Sequence, residues 1–434
     1  MIKVVYPKCA GLDVHKKFVT VCRLTEDEHS QVSKELREYS TMTADLQAMA
    51  DWLAEGGVTH VAMESTGVYW QPINNILEGR FEIFLVNAQA VKRMPGRKTD
   101  LKDAEWLASL MQHGLVQRSF IPARQQRELR ELARYRQSLV QERSRFANRL
   151  QKALEDTNIK LAAVATDLQG VSAQAMIRAL IRGETDPSVL ASMAKGRMRK
   201  KQAELERALV GHLTEHHRFM LGQLLDQLDF LDQQIAGIDA RIEEQLAQMP
   251  PFRSAVTLLD TLPGVDRQLA IAIVAEIGVD MSRFPSDRHL TAWAGVAPGN
   301  NETGGKQRSG KTRQGNKYLR RALILAAWGA VRSKPNYLRS RYYRLAARRG
   351  KPRAAMAVGC SILQAIYYML LRGEEYQELG ADYLDQLDRE RTAKRLLKRL
   401  DNLGYDVSSV KDRLPAVPAN GQPAQPRQLV PIPV

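Results

Sequence analysis

Residues 9–24, Cys9-Ala10-Gly11-Leu12-Asp13-Val14-His15-Lys16-Lys17-Phe18-Val19-Thr20-Val21-Cys22-Arg23-Leu24, contain two β-rich runs, 9–13 and 18–24. The polar step His15-Lys16-Lys17 between them predicts a hairpin. Beyond this hairpin, residues 46–53 carry the spacing of a helix that ends near Gly56-Gly57. Apolar runs at 58–63 and 81–86 predict two further strands, with a helix around 72–77 between them. Another helix is expected from near Asp100 to Gln112, stopped by Gly114. Strands alternating with helices indicate an α/β layer fold for the N-terminal part of the chain.

Residues 124–158 and 197–249 differ in character, being rich in Arg, Glu, Gln and Leu and nearly free of glycine and proline. Leu221, Leu224, Leu228, Leu231, Ile235, Ile238 and Ile242 recur in steps of three and four, the seam of a coiled coil. Pro250-Pro251 is expected to stop it. The stretch between the two helices, 170–197, reads as a smaller helical insertion, and 252–380 as a compact helical domain. There, Leu262-Pro263-Gly264-Val265 joins two helical runs in the manner of a helix-hairpin-helix. Such a turn either presents backbone N–H groups to a phosphate or is an ordinary helix connection. Residues 382–403 predict one more charged helix. Residues 414–434, with six prolines and no periodicity, are expected to be disordered.

The 434 residues carry a formal charge of +16, and the pI is about 9.7. Such an excess favours a polyanionic partner. No run of 18 apolar residues is present and the opening residues carry no long apolar stretch, so no membrane span or leader is expected. Cys9, Cys22 and Cys360 lack the spacing of a zinc site, which points to reduced thiols in the cytoplasm. The charge is concentrated: residues 303–373 hold 17 Lys and Arg and no Asp or Glu. Tyr318, Trp328, Tyr337, Tyr342, Tyr343, Tyr367 and Tyr368 are interleaved with those cations, a mixture suited to phosphate contact and to stacking on unpaired bases. Trp328, within an apolar helical run, is expected in the core.

Four carboxylates stand out. Asp13 and Glu64 each end a predicted strand, and Asp100 and Asp103 lie three apart, on one face of a predicted helix. Singly, a strand-end aspartate is a turn former and a DxxD pair caps a helix dipole. Gathered at strand ends in an open sheet, four carboxylates form an all-oxygen site for Mg²⁺ or Mn²⁺. Two such ions clamp the attacking and leaving oxygens of a phosphodiester.

The stretches GLDVHKK (11–17), MESTGVYW (63–70) and NAQAVKRMPGRKTDLKDAEWLA (87–108) resemble the N-terminal domain of the DEDD transposases, the RuvC-like recombinases of one large family of bacterial insertion sequences. LPGVDRQLAIAIVAEIG (262–278), LTAWAGVAPGNNETGGKQRSGKTRQGN (290–316) and KYLRRALILAAW (317–328) resemble that family's C-terminal domain. The resemblance covers roughly residues 8–120 and 252–372. It implies an RNase H-like (RuvC-like) α/β domain over 1–122, a helical coiled coil with an insertion over 123–250, and a basic, mainly α domain over 251–380. A charged helix and proline-rich tail fill 381–434. It further implies that Asp13, Glu64, Asp100 and Asp103 bind Mg²⁺ (or Mn²⁺) and that a hydroxyl of the C-terminal loop is the nucleophile. Donor and target DNA are the implied substrates, chosen by a structured guide RNA from the element. A dimer assembling to a tetramer through the coiled coil is implied too, with the two parts of the active site supplied by different subunits.

The family's nucleophile is a serine in a Glu-Ser-Gly step after an AGxxP motif. Here the motif is Ala294-Gly295-Val296-Ala297-Pro298 and the step reads Glu302-Thr303-Gly304, so the aligned residue is Thr303. Threonine keeps the hydroxyl and adds a crowding methyl. Ser309, in the same loop, is a second candidate, and in a further reading both only contact phosphate. Lys306, Arg308, Lys311, Arg313, Lys317, Arg320 and Arg321 are the candidate nucleic-acid contacts. Three functions compete at this point: a recombinase with a covalent intermediate, a junction-resolving nuclease that uses water, and a non-catalytic nucleic-acid scaffold.

Overall fold

The computed structural model describes residues 3–407 except 28, 30, 65–66, 88–90, 92–102, 300, 305 and 388. The chain divides into two units, Met1–Ala123 and Arg124–Val434.

The first unit is built on a five-stranded sheet. β1 (Lys8–Val14), β2 (Phe18–Glu26) and β3 (Val32–Ser40) form an antiparallel meander. Helix α1 (Thr43–Glu55) then crosses over to β4 (His60–Glu64), and α2 (Trp70–Leu77) leads to β5 (Glu82–Val86). β4 pairs parallel with β1 and β5 parallel with β4, so the order is β3-β2-β1-β4-β5. This mixed sheet is compatible with the RNase H-like class expected from the sequence. Side chains alternate between its faces. Leu12, Val14, Val21, Met63 and Leu85 point toward α1 and α2, and Leu46, Met49, Leu53, Ile73 and Leu77 close that core. On the other face, Cys9, Cys22, Ala62 and Val86 pack against Ala104, Leu107, Ala108 and Met111 of α3 (Asp103–Gln112).

β3 has no counterpart in the sequence reading. Its segment, Val-Ser-Lys-Glu-Leu-Arg-Glu-Tyr-Ser, is exposed or half-buried at every position, so no apolar alternation marks it. It is an edge strand, where charged side chains are the usual guard against pairing with another chain. Arg23 helps to fasten it: its guanidinium stacks 4.2 Å from the Trp52 ring, donates to the Trp52 carbonyl at 2.6 Å, and pairs with Glu35 of β3.

The second unit opens with two long helices, α4 (Arg124–Asp156) and the 33-residue Glu215–Ala247, each about 50 Å long. Between them lie α5 (Leu161–Val164), α6 (Val171–Ile181), α7 (Pro187–Ser192) and α8 (Gln202–Ala208), so the Glu215–Ala247 helix is α9. The helix expected from 197 is therefore interrupted, and α9 begins only where Thr214 and His217 form a capping box. The α9 seam packs along α4 of the same chain, tied by Arg136–Asp239 and Arg143–Asp232. Leu221, Leu225 and Leu228 join Leu150, Leu154, Met176, Ile177 and Leu180 in one apolar cluster. A charge placed at Leu228 would thus enter a core within the chain, and its effect would report folding before association.

Pro250-Pro251 ends this helical pair by starting the next helix. α10 (Pro250–Leu259) carries the prolines in its first turn, where no N–H is needed. α11 (Arg267–Ile277), α12 (Asp287–Trp293), α13 (Lys317–Arg332), α14 (Tyr337–Arg349) and α15 (Lys351–Arg372) complete a helical bundle. α15 is long and apolar enough to cross a membrane by length and composition, since residues 354–371 carry no charge. Its Ala354, Val358, Ile362, Leu363 and Ile366 are instead the buried centre of the bundle. The expected last helix appears as α16 (Tyr383–Gln386) and α17 (Arg389–Asn402). The proline-rich stretch 414–434 lies outside the described residues.

Candidate active site

One register brings the first carboxylates together. Leu12 of β1 pairs with Met63 of β4, so the next residues, Asp13 and Glu64, stand side by side at the carboxyl ends of neighbouring parallel strands. Both follow residues of the opposite face, which aims them toward α3. α3 can approach β1 because Gly11 has no side chain: a Cβ there would come within 2.3 Å of both the Ala104 carbonyl oxygen and the Ala108 nitrogen. The small residues Ala104 and Ala108 complete the crossing, and it brings Asp103, one residue before Ala104, over the strand ends. Asp13, Glu64 and Asp103 line one small cavity with Leu12, Val91, Trp106 and Leu107.

The site is half open. The Asp13 carboxyl retains 26% exposure and accepts from His15 Nε2 at 3.1 Å. Asp103 occupies the first turn of α3, where the helix dipole favours a negative charge. The donor set is entirely oxygen, which fits a hard divalent cation. Among the described residues no three His, Cys, Asp or Glu side chains are close enough to hold one ion. Asp100, the fourth expected ligand, lies outside the described residues. Cys9 and Cys22, on the α3 side of the sheet, take no part. Burial raises the Cys9 thiol to about 12, with a smaller contribution from Cys22, and burial first, then Glu105, raises Cys22 to about 11, so both remain unreactive thiols.

The residues expected to carry the nucleophile, read from the sequence as lying in a loop, stand on a β-hairpin. β6 (Asn301–Thr303) pairs antiparallel with β7 (Lys306–Ser309), Thr303 opposite Lys306 and Asn301 opposite Ser309. Three glycines close the arms beneath it. A Cβ at Gly299 would come within 2.1 Å of the Lys311 carbonyl oxygen, and one at Gly315 within 2.3 Å of that of Ala294. Gly295, at φ +69°, approaches Gly315 from the other arm. The glycines of the Ala294–Pro298 motif and of Gln314-Gly315-Asn316 thus belong to one crossing.

Below that crossing lies a buried carboxylate that sequence reasoning missed. Glu276, 4% exposed, accepts from Arg134 Nε and Nη2 at 2.7 and 2.8 Å and from Asn316 Nδ2 at 2.6 Å. Arg130 approaches at 3.5 Å and caps the Ala275 and Glu276 carbonyls. Asn316 also caps α13 through Tyr318 N and Leu319 N. The network ties α4, the end of α11 and the foot of the hairpin arms together. Its only signal in the sequence is an acid at the end of an otherwise apolar helical run.

Of the expected nucleic-acid contacts, Lys311, Arg313, Lys317 and Arg321 are exposed, and Arg320 is half-buried, donating to the Arg313 carbonyl and to Thr312. Lys306 and Arg308 are placed on β7. The Leu262–Val265 turn packs on α13: a Cβ at Gly264 would lie 2.2 Å from Ala330 N and 2.3 Å from the Ala326 oxygen. Close packing accounts for this glycine, whatever else the turn contacts.

Carboxylates at the strand ends of one unit and a strongly basic helical second unit are the parts of a DNA-rearranging enzyme. A transposase family profile of the DEDD type of IS110 matches residues 10–159, and one described as transposase, IS116/IS110/IS902 family, matches residues 256–344. Together the matches cover more than half of the chain. A probable family 20 transposase of Pseudomonas aeruginosa is 25% identical over 74% of this chain and 83% of its own length. The transposase for insertion sequence element IS1111A of Coxiella burnetii is 24% identical over 85% and 91%, respectively. A mini-circle putative transposase for IS117 of Streptomyces coelicolor is 25% identical over 59% and 68%. The chain belongs to the DEDD transposases of the IS110 family.

Proposed function

We propose that the chain cuts and rejoins DNA strands by transesterification, with Asp13, Glu64, Asp100 and Asp103 as ligands of Mg²⁺ or Mn²⁺ and Thr303 as the nucleophile. The single observation behind this is the common cavity of Asp13, Glu64 and Asp103 at the strand ends of a transposase-family chain. A divalent ion bound there would supply Lewis-acid stabilisation of charge on the phosphoryl oxygens. The Thr303 hydroxyl oxygen forms a bond to phosphorus, the bond from phosphorus to a deoxyribose oxygen breaks, and the hydroxyl proton ends on that leaving oxygen. The phosphodiester is conserved as a protein–DNA ester, so a second strand's hydroxyl reverses the step without ATP. Ser309 is the alternative nucleophile. Lys306, Arg308, Lys311, Arg313, Lys317, Arg320 and Arg321 contact backbone phosphates.

In this reading the substrates are donor and target DNA, selected by a structured RNA transcribed beside the gene. The working form is a dimer or tetramer in the bacterial cytoplasm, associated with the nucleoid when acting. A plasmid bearing the element's ends, incubated with the chain and transcripts of its flanking DNA, tests this. Joined products are expected with Mg²⁺ and none with a chelator. Cleavage that persists in chelator would overturn the metal site. Nicked junctions that are never joined would favour a water-using, junction-resolving nuclease.

A further inference from the structure

The bundle carries a groove whose apolar centre and far end the proposed chemistry does not use. Along α13, Lys317, Arg321, Leu325, Trp328 and Arg332 follow one another in steps of four, four, three and four, a single stripe on the helix surface. Two neighbouring hollows run along this stripe and share Leu325. The first is edged by Gln314 and Gly315, at the foot of the hairpin arms, and by Lys317, Arg320 and Arg321. The second lies against the Gly264–Asp266 turn and ends at Arg332.

Its make-up is apolar in the middle and cationic at both ends. Leu325 is 47% exposed, a large apolar side chain left in solvent on an otherwise well-packed helix. Trp328, expected in the core, is only half-buried: its ring rests on Tyr342, with centroids 5.4 Å apart, and lines the second hollow. The one carboxylate among the lining residues, Asp266, is engaged in capping α11, accepting from Leu269 N at 2.8 Å. From Lys317 to Arg332 the stripe runs about 22 Å.

We propose that this groove holds an unpaired stretch of DNA strand, bases on Leu325 and Trp328 and phosphates on the cations at either end. The assignment rests on the reading of the chain as an enzyme acting on DNA, the substrate its family establishes. A duplex presents phosphate and sugar outward and keeps its base faces stacked inside, so it would satisfy the cations and leave the apolar centre wet. An unpaired strand offers both phosphates and bare base faces, and stacking on an aromatic platform is tolerant of sequence. Exchange of single strands between duplexes passes through unpaired DNA, and the groove begins at the foot of the arms that carry Thr303.

The test uses the full chain in chelator and fluorescein-labelled oligonucleotides of about 12 nucleotides: single-stranded DNA, the same sequence as duplex, and single-stranded RNA. Trp328→Ala is expected to weaken single-stranded DNA binding about tenfold and duplex binding less than about twofold. Trp328→Phe, which keeps a ring on Tyr342, is expected to restore most of the affinity. Leu325→Ser alters an exposed position and is expected to show the same selective loss, independent of how Trp328→Ala folds. Single-stranded DNA should also quench tryptophan emission in the unmodified chain and not in Trp328→Phe. Equal losses on single strand and duplex, or equal quenching in both proteins, would overturn the groove assignment while leaving the transposase reading intact. Groove-dependent binding of RNA in preference to DNA would overturn the choice of strand. Failure to bind any of the three would contradict the DNA-acting reading itself.

Discussion

Asp13→Ala, Glu64→Ala, Asp100→Ala and Asp103→Ala are each expected to lower strand cleavage by about three orders of magnitude or more, while folding and nucleic-acid binding stay close to normal. The size follows from what a metal ligand does: stabilisation of a phosphoryl transition state by a bound ion is worth several kcal/mol, and about 1.4 kcal/mol is tenfold in rate. The selectivity follows from the structure. Asp13 is partly exposed and accepts one hydrogen bond, from His15, and Asp103 is an exposed residue in the first turn of α3. Losing a favourable dipole contact at Asp103 costs about 0.3–1 kcal/mol, far too little to unfold the unit. Asp13→Asn, which keeps shape and removes charge, should be as inactive as Asp13→Ala. Thermal melting beside a cleavage assay separates the possibilities: a variant that melts normally and still cleaves would return that carboxylate to a turn or capping role.

The second large effect concerns the hydroxyl. Thr303→Ala is expected to abolish joined products, and Thr303→Ser to retain or raise activity, because the hydroxyl stays and the methyl that crowds phosphorus goes. Ser309→Ala is expected to keep most of the activity. The hairpin is held from below by the Gly299, Gly315 and Gly295 crossing and by Glu276 through Asn316, so a single methyl or hydroxyl change on β6 leaves its footing untouched. The reverse pattern, Thr303→Ala active and Ser309→Ala dead, would move the nucleophile six residues along the chain.

Much of the sheet is legible from sequence because it is buried on both faces. β1, β2, β4 and β5 announce themselves as apolar runs, and Asp13 and Glu64 are visible as the polar residues at or next to the ends of two of them. β3 is not legible, since an edge strand exposed along its length carries no apolar alternation. That Gly11 admits α3 to the site becomes apparent only when the helix is in place, because a glycine in a strand has many uses. The α9 seam shows a heptad spacing, yet spacing alone does not say which helix it meets. In the structure it meets α4 of the same chain, and the fully buried Leu221 and Leu225 answer to the α6 insertion as well. The same limit hides Glu276: one acid in an apolar helix reads alike whether it faces solvent or, as here, two arginines and an asparagine.

The proposed reaction turns on whether a protein hydroxyl takes the DNA phosphate. The measurement is to incubate the chain with Mg²⁺, its flanking transcripts and a DNA site nicked so that rejoining is blocked. The products are then denatured, and any DNA-linked peptide is identified by mass spectrometry. A denaturation-resistant adduct on the peptide containing Thr303, absent from Thr303→Ala and from Asp13→Ala, is the predicted result. Cleaved DNA with no adduct in the unmodified chain would contradict it and make water the nucleophile.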